Sequence, residues 1–92
     1  MKTFVMVTTE WRGVFAGFLV RDDEGKRIAE LEMVRCAISW ETSGGFLELA
    51  ELGPNERSKI GNTAPLAKIQ GVTGIWHCTN EAMEAWLNHG KK

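Results

Sequence analysis

The sequence predicts an α+β fold, an antiparallel sheet of about five strands with two short helices. Three observations lead to this class. Apolar stretches with strand-like alternation recur through the first half of the chain, and a glycine-containing turn separates two of them. Two later segments have apolar residues at helical spacing and end at glycine. Two such helices and one sheet bury their apolar surfaces most simply when both helices pack on one face of the sheet.

Length and composition limit the possible partners. At 92 residues, the chain is expected to form a single domain, residues 1–92. Its formal net charge of -1 lacks the positive field that drives binding to duplex nucleic acid. No segment approaches the roughly 20 apolar residues of a membrane span, and the N-terminus becomes polar too soon for a secretory signal. We therefore expect a cytoplasmic protein that binds neither duplex nucleic acid nor a membrane.

The first strands are predicted from their apolar patterns. Phe4–Thr8 is apolar on both faces, which indicates a strand covered by neighbours on each side. Val14–Val20 alternates, and Gly17 within it predicts a bulge or a close approach of another backbone. The turn Arg21–Lys26 joins this strand to Arg27–Met33 as a hairpin.

Three more extended segments follow. Val34–Trp40 is predicted as a strand on which Arg35 and Trp40 face opposite sides. Leu66–Ile69 and Val72–Cys78 are also predicted to be extended, and the second places Trp76 on a core face. Between these two groups of strands lies the longest predicted loop, Asn55–Pro65.

Two helices complete the prediction. The first begins at Thr42 or Ser43, whose hydroxyls can cap it, and ends at Gly53-Pro54, where glycine can adopt the left-handed conformation. The second begins at Thr79 or Asn80. Its apolar stripe consists of Ala82, Met83, Trp86 and Leu87. Trp86 is therefore expected in the core.

The potential metal ligands do not have metal-site spacing. Cys36 and Cys78 lie in apolar, strand-like contexts and are expected to be reduced thiols in the cytosol. Adding His77 and His89 gives four possible zinc ligands, but no pair has the spacing of a zinc motif. The sequence therefore predicts free thiols, no metal and no cofactor.

No catalytic residue is predicted either. His77 and His89 have no evident partner for the nucleophile, base and orienting group that a triad needs. Gly44-Gly45 is not part of a phosphate-loop motif. The paired carboxylates Asp22 and Asp23 fall in a hairpin turn, where solvated turn residues are the simpler interpretation. We therefore expect a binding protein, not an enzyme.

A set of turn glycines, core positions and potential site residues occurs in a fixed order along the chain: Thr9, Gly13, Val14, Phe15, Gly17, Gly25, Arg35, Trp40, Leu47-Glu48-Leu49-Ala50, Gly53, Val72–Cys78 and Thr79. This order of motifs resembles a family of small uncharacterised phage and prophage proteins. The likeness covers nearly the whole chain, and Arg35 and Trp40 are the positions that carry over as potential site residues. The resemblance implies a context, an infected bacterial cell, without implying a chemistry.

Two binding hypotheses follow. The first is a counter-defence protein that sequesters a small phosphate-bearing or acidic ligand, such as a nucleotide signal, through arginine and stacking tryptophan side chains. The second is a module that inhibits a host defence protein, with exposed aromatics as anchors. The predicted ligand-binding residues are Trp11, Arg12, Arg35, Trp40, Ser43 and Gly44.

Two further expectations concern structure. Arg35 has an alternative role, the bridging of a carboxylate of Glu30, Glu32 or Glu41 across the sheet. The chain is also expected to be a homo-oligomer, most simply a dimer, because a sheet from so short a chain leaves edges uncovered. Either Phe4–Thr8 or Val72–Cys78 is expected to supply the edge strand.

Overall fold

The structure is a computed structural model that describes residues 3–10, 13–39, 47–56 and 58–90. Six antiparallel strands form one sheet, and two helices accompany it, which confirms the α+β class with a larger share of sheet than of helix. The elements are β1 Phe4–Thr9, β2 Val14–Asp23, β3 Ile28–Ser39, α1 Glu48–Glu51, β4 Lys59–Ile60, β5 Ala64–Gln70, β6 Val72–His77 and α2 Asn80–Asn88.

The sheet curls on itself. Its strand order is β4-β3-β2-β1-β6, and β5 pairs with the first part of β3. The strands β5 and β6 are therefore near opposite ends of the strand order, yet only Gly71, with φ of 70°, separates them in the chain. A sheet whose two ends are joined in this way must bend round, so it has an enclosed face and an outer face.

The enclosed face holds one half of the core. Its buried residues come from strands β1, β3 and β5, and side chains of β2 and β6 pack against them. Alternation along the strands sends every second residue to this face, as in Val5 and Val7 of β1. The buried members are Val5, Val7, Ala29, Leu31, Val34 and Ile69, packed by Phe15, Leu19, Ala64, Ala67, Val72 and Ile75.

Both helices cover one part of the outer face, as the sequence predicts. Met6 and Ala16 point to this side, and Trp86 of α2 is fully buried against them. The Trp86 Nε1 group donates a hydrogen bond of 2.9 Å to the carbonyl oxygen of Leu49 in α1. The first four residues of β1, Phe4–Val7, are thus buried on both faces, which agrees with their uniformly apolar sequence.

The predicted hairpin is present as β2 and β3, but the predicted strands Arg27–Met33 and Val34–Trp40 belong to one continuous strand. Strand β3 runs continuously from Ile28 to Ser39, and Met33 inside it has a φ of 51°, so the chain bulges where a boundary was expected. The predicted close approach at Gly17 is confirmed. A Cβ atom there would lie 2.8 Å from the carbonyl oxygen of Glu32, and the register with β3 shifts beside it.

The helix ends agree with the sequence where they are described. Gly53 has a φ of 82° directly after α1, and the Thr79 hydroxyl caps α2 by accepting from the Ala82 amide at 3.0 Å. The expected caps Thr42 and Ser43 lie outside the described residues. Among those that are described, neither helix is long and apolar enough to cross a membrane.

Candidate functional site

Only one of the six predicted site residues lies in the described part of the chain. Trp11, Arg12, Trp40, Ser43 and Gly44 are outside it. The sixth residue, Arg35 on β3, is buried, with 7% of its surface exposed. The described structure therefore tests the arginine alone, and the pairing of Arg35 with a stacking tryptophan stays a prediction.

Arg35 is bound by main-chain oxygens. Its Nη1 atom donates to the carbonyl oxygens of Trp86 at 2.9 Å and His89 at 2.8 Å, and its Nε atom donates to that of Gly61 at 2.8 Å. The last carbonyls of a helix have no partner within the helix, and here the guanidinium supplies one. Arg35 is therefore a buried arginine whose donors hold the end of α2 against the sheet, and its role in ligand binding stays a prediction.

His89 extends this arrangement. Its Nε2 atom lies 2.9 Å from the carbonyl oxygen of Ser58. Burial, and then the charge of Arg35, lower the pKa of His89. Arg35, Ser58, Gly61, Trp86 and His89 form what we call the Arg35 network. It joins β3, the residues on either side of β4 and the end of α2. Its function is structural.

The two cysteines are free thiols of low reactivity. Burial raises the pKa of Cys78 to about 12, and it also raises the pKa of Cys36. A thiol with a raised pKa contains little of the nucleophilic thiolate at neutral pH. Within the ranges that the structure describes, no group of three or more His, Cys, Asp or Glu side chains is placed to hold a metal ion.

Three chain connections meet at one corner of the curled sheet. The Glu10 amide donates a hydrogen bond of 3.0 Å to the carbonyl oxygen of Gly71. The Glu10 carboxylate forms an ion pair with Arg27, in which Oε1 lies 2.8 Å from Nη1. Arg27 Nε also donates to the carbonyl oxygen of Val72 at 3.1 Å. Glu10, which precedes the predicted site residues Trp11 and Arg12 in the sequence, is therefore bonded both to the β5–β6 connection and to the β2–β3 connection.

A cleft of about 320 Å³ opens beside this corner, between the β2–β3 turn and β6. Two carboxylates, of Asp22 and Glu24, face one guanidinium, that of Arg27, and Glu10 adds a third carboxylate through its ion pair. Arg35 does not line the cleft. This corner cleft is consequently a poor environment for a phosphate group. Its lining residues are Asp22, Glu24, Arg27, Val72, Thr73, Gly74 and Ile75.

A second exposed surface lies along β2, β3 and β5. It exposes three large apolar side chains, with 42% of Val20, 43% of Met33 and 59% of Leu66 accessible to solvent. Register places Leu66 opposite Glu32, and Lys68 opposite Glu30, with which it forms an ion pair at 3.6 Å. We name this surface the hairpin face and define it as Val20, Arg21, Glu30, Met33, Leu66 and Lys68.

A shallow groove continues the charged side of the hairpin face. It has a volume of about 100 Å³ and combines three cationic side chains, Arg21, Lys26 and Lys68, with two carboxylates. The carboxylates belong to Asp23 and Glu30, and Ile28 forms the apolar part of the lining. Apolar side chains beside charges of both signs are typical of surfaces that bind proteins.

The sequence pattern misses parts of these surfaces. Alternation places Val20 on the same face as Val14 and Ala16, which are buried, but the register of β2 with β3 shifts between Leu19 and Arg21, and Val20 is exposed. It also places Trp76 in the core, whereas 36% of that side chain is exposed. Trp86 is fully buried, as predicted. In β5, alternation places Leu66 on the same face as the charged residue Lys68. This pairing is the sequence signal that the face carrying Leu66 is exposed.

Comparisons with known proteins give one match. A family model described as a domain of unknown function (DUF6948) matches residues 2–86. No curated protein matches the chain. No solved structure matches it. This match gives a family but no function.

Proposed function

The chain belongs to the DUF6948 family, and we propose that it is a phage-type accessory protein that acts in the host-cell cytosol by binding and inhibiting a host defence protein. The phage context rests on the resemblance of its sequence motifs. The proposal that it binds a protein rests on the hairpin face. The two parts are independent of one another.

The hairpin face is the observation that carries the proposal. Interfaces between proteins combine apolar side chains that become buried with a polar rim that remains wet. Val20, Met33 and Leu66 supply apolar area, and Arg21 and Lys68 supply positive charge beside it. A partner with an apolar contact surface and acidic side chains fits this face.

Several groups favour binding over catalysis. The thiols of Cys36 and Cys78 are kept protonated by burial, so they are weak nucleophiles at neutral pH. His89 is held against the Ser58 carbonyl, and Arg35 donates to main-chain oxygens. Each of these groups is already engaged in stabilising the fold.

Sequestration of a small phosphate-bearing or acidic ligand is the second candidate. The fixed position of Glu10 favours it, because Trp11 and Arg12 follow Glu10 directly in the sequence. The commitment of Arg35 to the end of α2 removes one of the two expected phosphate ligands. Protein inhibition is therefore the function that the described residues support better.

Native mass spectrometry of the protein purified from bacteria tests the proposal, because it reports a retained protein or a retained small molecule in one measurement. The expected result is a host protein that Leu66→Glu releases and Ile38→Glu retains. Ile38 is the matched control, since 58% of it is exposed on β3 outside the hairpin face. A retained nucleotide with no protein would favour sequestration, and equal retention by both variants would overturn the role of the hairpin face.

A further inference from the structure

Strand β6 ends the strand order, and no other strand of the described residues pairs with its outer edge. Exposed edge strands usually carry charged residues or proline, which prevent pairing with another chain. The six residues of β6, Val72–His77, include no Asp, Glu, Lys, Arg or Pro. Strand β5, by contrast, contains both Pro65 and Lys68. Of these two strands, β6 is the one whose sequence permits another strand to pair with it.

Hydrogen bonding defines which main-chain groups point to this edge. The Cys78 amide donates to the carbonyl oxygen of Phe4 at 3.0 Å, and Met6 is the register partner of Trp76. Alternation in an antiparallel ladder then directs the main-chain groups of Trp76 toward β1 and those of Ile75 and His77 away from it. The edge from Thr73 to His77 therefore offers donors and acceptors for a new strand.

The corner cleft borders part of this edge, with the β2–β3 turn as its other wall. The corner cleft, about 320 Å³ in volume, lies along Thr73, Gly74 and Ile75. At the start of β6, the Val72 amide already donates to the carbonyl oxygen of Arg27 at 3.0 Å. An added strand would consequently begin its pairing after Val72.

We propose that the occupant of this edge is β6 of a second copy, paired antiparallel about a twofold axis at Ile75. A twofold axis perpendicular to the sheet places residues of the same face opposite one another. Trp76 then lies opposite Gly74 of the second copy, and His77 lies opposite Thr73. The Trp76 ring already packs over Gly74 of its own strand, where a Cβ atom would lie 3.1 Å from the ring. Self-pairing makes the two Trp76 rings diagonal neighbours on one face, within reach of each other.

Two features of the chain suit this self-pairing. Strand β6 carries no formal charge other than a protonatable imidazole, so two copies do not repel one another. The imidazole of His77 would arrive beside Thr73 of the other copy, next to the carboxylates of Asp22 and Glu24 in the corner cleft. The pairing does not depend on the proposed function, because the hairpin face lies on β2, β3 and β5.

Sedimentation velocity at micromolar concentration tests the pairing. The unmodified chain is expected to sediment as a dimer, and Trp76→Lys, which adds a charge to the edge, is expected to weaken the dimer by more than about tenfold. Leu66→Lys is the matched control, because it places the same charge on an exposed apolar position of β5 and should leave the dimer intact. Near-ultraviolet circular dichroism from buried Trp86 verifies folding.

Hydrogen exchange provides a test that needs no variant. The Ile75 and His77 amides should become protected as the protein concentration rises, whereas the Trp76 amide, directed toward β1, should be protected at every concentration. A monomer throughout, a dimer that Trp76→Lys does not weaken, or exchange at Ile75 and His77 that is independent of concentration would overturn the proposal. None of these results depends on the identity of a host partner.

Discussion

Arg35 and Trp86 are joined by a hydrogen bond of 2.9 Å from guanidinium Nη1 to a carbonyl oxygen, although 51 positions separate them in the sequence. The Trp86 side chain is fully buried, and its Nε1 atom donates to Leu49. One residue of α2 therefore contacts β3 through its main chain and α1 through its side chain. Loss of Arg35 would affect the attachment of the whole second helix.

We predict that Arg35→Ala lowers the free energy of unfolding by about 2–4 kcal/mol. The substitution leaves carbonyl oxygens of Gly61, Trp86 and His89 without their donor. Urea unfolding followed by tryptophan fluorescence measures the change. Arg21→Ala, at an exposed position of β2, is the control and should alter stability by less than about 0.5 kcal/mol. Equal effects of the two substitutions would contradict a structural role for Arg35.

This prediction changes how sequestration should be tested. Joint replacement of Arg12 and Arg35 would unfold part of the protein, so a loss of ligand would not identify a site. Arg12→Ala alone, with Arg35 retained, separates the two effects. If the protein does capture a phosphate-bearing ligand through Arg12, this single variant should lose the ligand and keep its unfolding midpoint, as measured by native mass spectrometry and urea titration.

Gly53 provides a second prediction. Its φ is 82°, and a Cβ atom would lie 2.5 Å from the Cβ of Ala85 and 2.9 Å from the carbonyl oxygen of Ala82. Gly53→Ala should therefore destabilise the fold by about 2–4 kcal/mol, through backbone strain together with a clash against α2. Gly90→Ala separates the two causes, because Gly90 has a φ of 75° but open space around it, and should cost about 1 kcal/mol. Similar losses in thermal unfolding would show that strain alone matters.

Local chemistry made much of the fold predictable. The apolar character of β1 on both faces, the turn between β2 and β3, Gly17, Gly53 and the Thr79 cap are each decided by neighbouring residues. The continuity of β3 was not predictable in this way. The bulge at Met33 depends on pairing with two other strands, and the short strand β4 exists because β3 lies beside it.

The candidate site was less predictable, for the same reason. An arginine on a strand indicates a charge but not its partner, and the partners of Arg35 are carbonyl oxygens at positions 61, 86 and 89. Likewise, alternation indicates which residues of a strand share a face, but not whether a helix covers that face. Trp86 on α2 is fully buried, whereas 36% of Trp76 on β6 is exposed, so two tryptophans that the sequence pattern places on core faces differ in burial.

Cys78 is the basis of a third prediction. Burial raises its pKa to about 12 from an ordinary value of 9.0, so folding favours the neutral thiol. The corresponding stability is complete below pH 9.0 and is lost as the pH rises toward about 12, because the unfolded thiol ionises first. Alkylation near neutral pH should accordingly be slow in the native protein and fast in denaturant, as measured by mass spectrometry. Rapid native alkylation of Cys78 would contradict its burial.

The last prediction concerns His89 at acidic pH. Burial and the charge of Arg35 lower its pKa below the ordinary value of 6.5, so the folded state favours the neutral ring. Stability from this group is complete above pH 6.5 and decreases as the pH falls toward the lowered pKa, because the unfolded chain binds the proton first. His89→Gln keeps a side-chain donor for the Ser58 carbonyl and removes the titration. Urea unfolding from neutral to mildly acidic pH should therefore show a smaller loss of stability in His89→Gln than in the unmodified chain. The carboxylates contribute equally to both proteins, so parallel pH profiles would mean that His89 does not titrate in the folded state as described.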